Sequence, residues 1–122
     1  MAKLENFEDL KCWKSARVLV KMIYQQCEKG KLKNDWDTKS QIKRAALSIM
    51  NNIAEGFGRI NSKDSLKFYD YAQSSGFEVR SMLYVLIDLE YITQHEFEIL
   101  MNETNKTINL TLGFIRYLRN RK

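Results

Sequence analysis

Few residues of this chain have the types and spacing to do chemistry, and most of them fall in one stretch. In QIKRAALSIMNNIAEGFGR, Gln41 to Arg59, the positions Gln41, Ala45, Ser48, Asn52, Glu55 and Arg59 step by four and three. They share one helical face beside an apolar one. Such a stripe is either a solvated flank or a partly buried hydrogen-bonded network at a bundle seam or subunit contact. A carboxylate drawn out of water needs a cation or several donors. Asn52 and Arg59 can supply these to Glu55, with Glu78 competing for Arg59. These residues read as a structural polar seam, because nothing in the set forms a poised acid–base pair.

Other chemistries find less support. The one histidine, His95, falls in the first turn of the last helix, where a solvated side chain is the ordinary state. Metal sites inside helical bundles use Glu-x-x-His pairs, and the residue three before His95 is Ile92. No cysteine–histidine cluster suggests zinc, and no Ser/His/Asp or Cys/His set supports a nucleophile. Gly56-Phe57-Gly58 follows a helix rather than a strand and lacks a Lys-Ser/Thr pair, so it reads as a helix stop and not a phosphate loop. Cys12 and Cys27 lie on one helix. At ~1.5 Å rise per residue they are ~22 Å apart, beyond disulfide reach, and read as core thiols. The expectation is therefore no catalytic residue, no metal and no cofactor.

Cationic residues are the remaining candidates. Lys14, Arg17 and Lys21, preceded by Lys11, step along the first helix opposite its apolar face. They form either a solvated face or a surface that tracks phosphates. Lys39, Lys43 and Arg44, and the tail residues Arg116, Arg119 and Arg121, extend the second reading. Residues 11–44 hold ten Lys/Arg against three Asp/Glu, a balance of +7. Residues 64–113 hold three against eight, a balance of −5. Such a surface attracts nucleic acid, or another copy of the chain turned to present the opposite sign. No nucleic-acid-reading module is recognisable, so binding would be to backbone and shape.

The elements that must position these residues are helices. The chain has 122 residues, no proline and five glycines, enough for one domain with its own core. Apolar periodicity predicts helices over about residues 8–29, 38–58, 63–91 and 94–119. Trp13, Ala16, Val20, Ile23 and Cys27 mark the first face. Ile42, Ala46, Ile49, Ile53 and Phe57 mark the second. Phe68, Ala72, Ser75, Val79, Met82, Leu86 and Leu89 mark the third, and Phe97 to Leu118 the fourth. Asp35 or Asp37 is expected to cap the second helix, Ser62 the third, and Thr93 with Glu96 the fourth. Gly56 and Gly58 are expected to supply a left-handed residue at the end of the second helix. Gly76 is expected to admit a neighbouring backbone or bulky side chain. Four long helices with short connections make an all-α, antiparallel up-down-up-down four-helix bundle. No apolar run is long enough to span a membrane, and the acid-containing start MAKLENFEDLK is not a secretory signal. A cytoplasmic protein is expected.

Three segments together, FEDLKCWKSA, QIKRAALSIMNNIAEGFGR and FYDYAQSSGFEVRSMLYVLIDLEYI, resemble the bacterial 23S rRNA intervening sequence proteins. These in turn resemble the accessory variability protein of diversity-generating retroelements. Phe7, Leu10 and Trp13 match the family's opening pattern. Asn52, Ile53, Ala54, Glu55, Gly56 and Arg59 match its Asn-Ile-Ala-Glu-Gly-x-x-Arg signature. Ser74, Ser75, Gly76 and Glu78 match a later small-residue run. The linker KGKLKNDW departs from the pattern in having no proline. The resemblance implies a four-helix bundle assembled into a homo-oligomeric ring, a pentamer, with no catalytic activity. Relatives of the retroelement type bind nucleic acid, RNA or DNA, and a reverse transcriptase. The function expected is a non-enzymatic, ring-forming accessory protein that binds nucleic acid through a basic surface. The alternative is a purely structural or protein-interaction bundle.

Overall fold

The computed structural model describes residues 4–121 and consists of four long helices. They are α1 (Lys11–Cys27), α2 (Trp36–Gly58), α3 (Ser65–Asp88) and α4 (Gln94–Asn120). A 3₁₀ turn, Phe7–Asp9, precedes α1, and a second, Gly30–Asn34, joins α1 to α2. No strand occurs among the described residues. Residues 1–3 and Lys122, the last cation of the tail, lie outside them.

Consecutive helices run antiparallel, as side-chain bonds at their ends require. Ser65 Oγ at the start of α3 donates to the Gly56 carbonyl near the end of α2 (2.9 Å). Tyr91, just after α3, donates its hydroxyl to Asp35 at the start of α2 (2.9 Å). Gln26 near the end of α1 reaches Glu96 at the start of α4 (3.4 Å). Each helix packs mainly on two neighbours, so α1 and α3 lie diagonally opposite, as do α2 and α4. The core is filled from all four: Leu19 and Ile23, Ile42, Ile49 and Ile53, Val79, Leu83 and Leu86, and Ile115 are buried. Leu32 of the connecting 3₁₀ turn is fully buried as well, which anchors that link without a proline.

Local signals account for most helix ends. Asp35 caps α2 by accepting from the Thr38 N–H (3.1 Å). Thr93 and Glu96 form the expected capping box on α4, with bonds of 3.1 and 2.9 Å. At α3 the cap differs: Asp64 occupies the position without a side-chain bond, and Ser62 instead accepts from the Asp64 N–H (3.0 Å). The first helix also starts later than its periodicity suggests, because Phe7–Asp9 turns separately and Leu10 is extended.

The glycines correct the sequence reading most. Gly56 and Gly58 are both inside α2, and neither adopts a left-handed conformation. Gly56 is instead a point of contact: a Cβ there would lie 2.8 Å from Tyr69 Cζ. Tyr69 is fully buried, and its ring fits against α2 only because Gly56 has no side chain. Gly76 does the same on α3, where a Cβ would meet Ile108 Cγ1 at 2.8 Å. Left-handed residues appear elsewhere: Gly30 (φ 52°) just past the end of α1, and Glu90 (φ 60°) at the end of α3. The Glu90 N–H bonds to the Ile87 carbonyl (3.0 Å) and the Tyr91 N–H to the Leu86 carbonyl (2.8 Å). That pair closes α3 as a Schellman motif with glutamate where glycine is favoured.

Candidate nucleic-acid interface

The α1 corner carries four exposed cations, Lys11, Lys14, Arg17 and Lys21, and no acid anywhere along the helix. Its buried side explains the arrangement. Cys12, Trp13, Ala16, Leu19 and Ile23 enter the core, which leaves the intervening positions to solvent. Arg17 lies over the Trp13 ring at 5.8 Å, so its stem is braced while its charge stays wet. The structure adds one cation the sequence reading did not place here. Lys106 on α4 joins Lys11 and Lys14 around a cleft of about 410 Å³ that also touches Ser15 and Glu103. Lys106 reaches it because its neighbour Thr107 pairs with Ser15 across the α1–α4 seam (2.6 Å).

The other candidate cations are distributed around the bundle. Lys43 is half-buried, with its ammonium 4.7 Å above the Tyr24 ring and 3.9 Å from Glu28, so it continues the α1 surface onto α2. Lys39 lies one turn before it and is also half-buried. Arg44 is exposed and faces the other way, lining a cleft of about 430 Å³ with Leu47, Asn51, Asn52 and Phe68. Arg116, Arg119 and Arg121 are exposed at the end of α4, the bundle end at which α1 begins. Of the ten Lys/Arg between residues 11 and 44, only Lys29 and Lys43 have an acidic partner within 4.0 Å among the described residues.

The four polar residues singled out on α2 and α3 do not come together as one network. Asn52 donates to the Ser48 carbonyl (2.8 Å) and hydroxyl (3.0 Å), and Ser75 of α3 donates to the same hydroxyl (2.8 Å). That trio joins α2 to α3. Glu55 and Arg59 pair with each other at 2.9 Å on the exposed side, and the guanidinium lies 5.0 Å over Phe68. Glu78 is exposed, with no hydrogen bond or ion pair among the described residues.

A second polar seam lies between α1 and α4. Ser15, only 4% exposed, bonds to Glu103 (2.8 Å) and Thr107 (2.6 Å). Thr104, Thr107 and Thr111 each donate back to the carbonyl four residues earlier, which satisfies their hydroxyls within α4. Thr104 and Thr111 lie on the apolar stripe in sequence, and their self-satisfied hydroxyls let them behave as part of it. Burial pushes the Cys12 thiol beside this seam up to about 11, and raises Cys27 as well. Neither is poised as a nucleophile. His95 is exposed. Among the described residues, no three of His, Cys, Asp and Glu converge to hold a metal, and no helix is long and apolar enough to cross a membrane.

These features define a class: a small antiparallel four-helix bundle with a tightly packed α2–α3 seam and a cationic α1 corner. The chain belongs to the 23S rRNA-intervening sequence protein family, whose profile matches residues 8–113. A crystal structure from Bacteroides thetaiotaomicron VPI-5482, of a protein with unknown function from the S23 ribosomal protein family, has a similar fold. The TM-score is 0.75 at 23% identity, over 86% of this chain and 95% of that one. No curated protein matches the chain significantly.

Proposed function

We propose that the chain is a non-enzymatic accessory protein that binds the phosphate backbone of structured nucleic acid, RNA foremost, through the α1 corner. The observation that carries this reading is the surplus of unpaired charge. None of the four corner cations, Lys11, Lys14, Arg17 and Lys21, has an acidic partner within 4.0 Å among the described residues. Backbone phosphates neutralised by such a surface release counterions, which drives binding at low salt. The test is binding of an rRNA-like hairpin across a salt series. A complex that weakens steeply with salt supports the reading, and no complex at low salt overturns it.

The protein works, in this reading, as a ring of several copies, five being the number the family resemblance implies. The support is α3, diagonally opposite α1, where Phe77 and Tyr84, seven residues apart on one side of the helix, are each more than half exposed. An apolar face of this kind suits contact between copies. Sedimentation over a concentration series tests it, and a monomer at every concentration and salt contradicts it. A reverse transcriptase is a further partner only if such a gene neighbours this one.

A further inference from the structure

Trp36 is the first residue of α2 and is 69% exposed, more than any other large apolar side chain of the described residues. It is also firmly mounted. Asp35, immediately before it, accepts from the Thr38 N–H (3.1 Å), the Thr38 hydroxyl (2.8 Å) and the Tyr91 hydroxyl (2.9 Å). The left-handed turn at Glu90 delivers Tyr91 to that bond. The indole therefore projects from a fixed helix start tied to α3, not from a loose loop.

Its surroundings carry both signs, and the lysines fall on its own helical face. Trp36, Lys39 and Lys43 step by three and four, so they share one face of the first two turns of α2. Lys43 then caps the Tyr24 ring and carries that face across to α1. Of the two adjacent acids, Asp35 has its carboxylate engaged by three donors, which hold it below the usual carboxylate range, and Asp37 is exposed in the first turn. A tryptophan at the centre of a protein–protein contact sits in a patch depleted of charge. Here Lys33, Asp35, Asp37 and Lys39 flank it. An exposed aromatic ring among lysines is the arrangement that binds single-stranded nucleic acid, with the ring stacking on a base and the cations following the phosphates.

We infer that Trp36 is a stacking platform for an unpaired base, with Lys39 and Lys43 on its flanking phosphates, so that within a structured RNA the protein favours unpaired segments such as loops over paired stems. The inference rests on the nucleic-acid reading above and adds the kind of segment bound.

The full chain supplies its own probe. Trp13 is buried against Phe7 (ring centroids 5.1 Å apart), so a change in tryptophan emission on ligand binding reports mainly on Trp36. The experiment titrates the protein at low salt with a 15-nucleotide unstructured RNA and with a blunt-ended, fully paired RNA duplex. The single strand is expected to quench emission and bind more tightly. Trp36→Ala should weaken single-strand binding on the order of tenfold and leave duplex binding unchanged, while Trp36→Phe recovers most of the loss. Full-strength binding of the single strand by both variants, read from the anisotropy of a dye-labelled RNA, or unquenched binding by the unaltered protein, would overturn the inference and leave the phosphate-binding reading standing. Absence of binding to either RNA removes both. A blue shift that grows with protein concentration alone, without RNA, places Trp36 between copies and also overturns it.

Discussion

The α2–α3 seam and the α1 corner are opposites in what they reveal and what they do. The seam holds the residues that make the sequence recognisable, Asn52, Gly56 and the Ser74–Gly76 run, and the structure uses the inner ones to set distances between helices. Gly56 makes room for Tyr69, and Ser48, Asn52 and Ser75 bond across the joint. The corner holds Lys11, Lys14, Arg17 and Lys21, whose types are common and whose charges are left unpaired. A signature can thus identify a scaffold while the ligand surface lies in ordinary cations several turns away.

The comparison breaks most visibly if corner residues prove structural. Reversing three of them (Lys14→Glu, Arg17→Glu and Lys21→Glu) should weaken RNA binding roughly 100-fold at low salt, since three phosphate contacts are lost and repulsion is added. Melting temperature should barely move, because all three are exposed. The seam should respond the other way. Gly56→Ala forces a methyl to 2.8 Å from the Tyr69 ring and should cost about 3 kcal/mol by thermal or denaturant melting, with RNA affinity of the folded fraction intact. Gly113→Ala is the control: a Cβ there meets nothing within 4 Å, so gain of helix propensity should stabilise by ~1 kcal/mol.

Cys12 sharpens the view of α1's buried side. Its folded-state value of about 11 exceeds its ordinary 9.0, so the folded protein holds the proton more tightly than the unfolded chain. The associated stability is complete below pH 9 and is lost as pH rises through 11, by on the order of 3 kcal/mol. Cys12→Ala should flatten that part of the pH–stability curve. A smaller effect is expected at the α1–α4 seam. Ser15→Ala removes bonds to Glu103 and Thr107 and should cost about 1 kcal/mol by the same melting assay.

The helices and their buried faces were legible because a 3.6-residue period survives whatever packs against it. Ile42, Ile49 and Ile53 face the core as their spacing demands. The Thr93–Glu96 cap was equally legible, since a capping box is local. Gly56 was misread because the reason for a glycine there is a ring 13 residues later on another helix, and spacing alone does not report that. Glu90 gave no signal at all: a left-handed glutamate is recognised only from backbone geometry. Trp36 escaped for a simpler reason. The second helix begins two residues before its periodicity suggests, so the tryptophan lay in the expected loop. Its exposure follows from a helix start that buries Leu32 and turns Asp35 inward.

The central claim is that the α1 corner binds nucleic acid through its phosphates. The most direct measurement is the affinity of the intact protein for an rRNA-like hairpin at increasing salt, from about 50 to 200 mM. The account predicts that log affinity falls linearly with log salt with a slope near −3 or steeper, and that the triple reversal flattens the slope by about the three contacts it removes. A salt-independent affinity, an unchanged slope in the reversed variant, or no complex at 50 mM would contradict it.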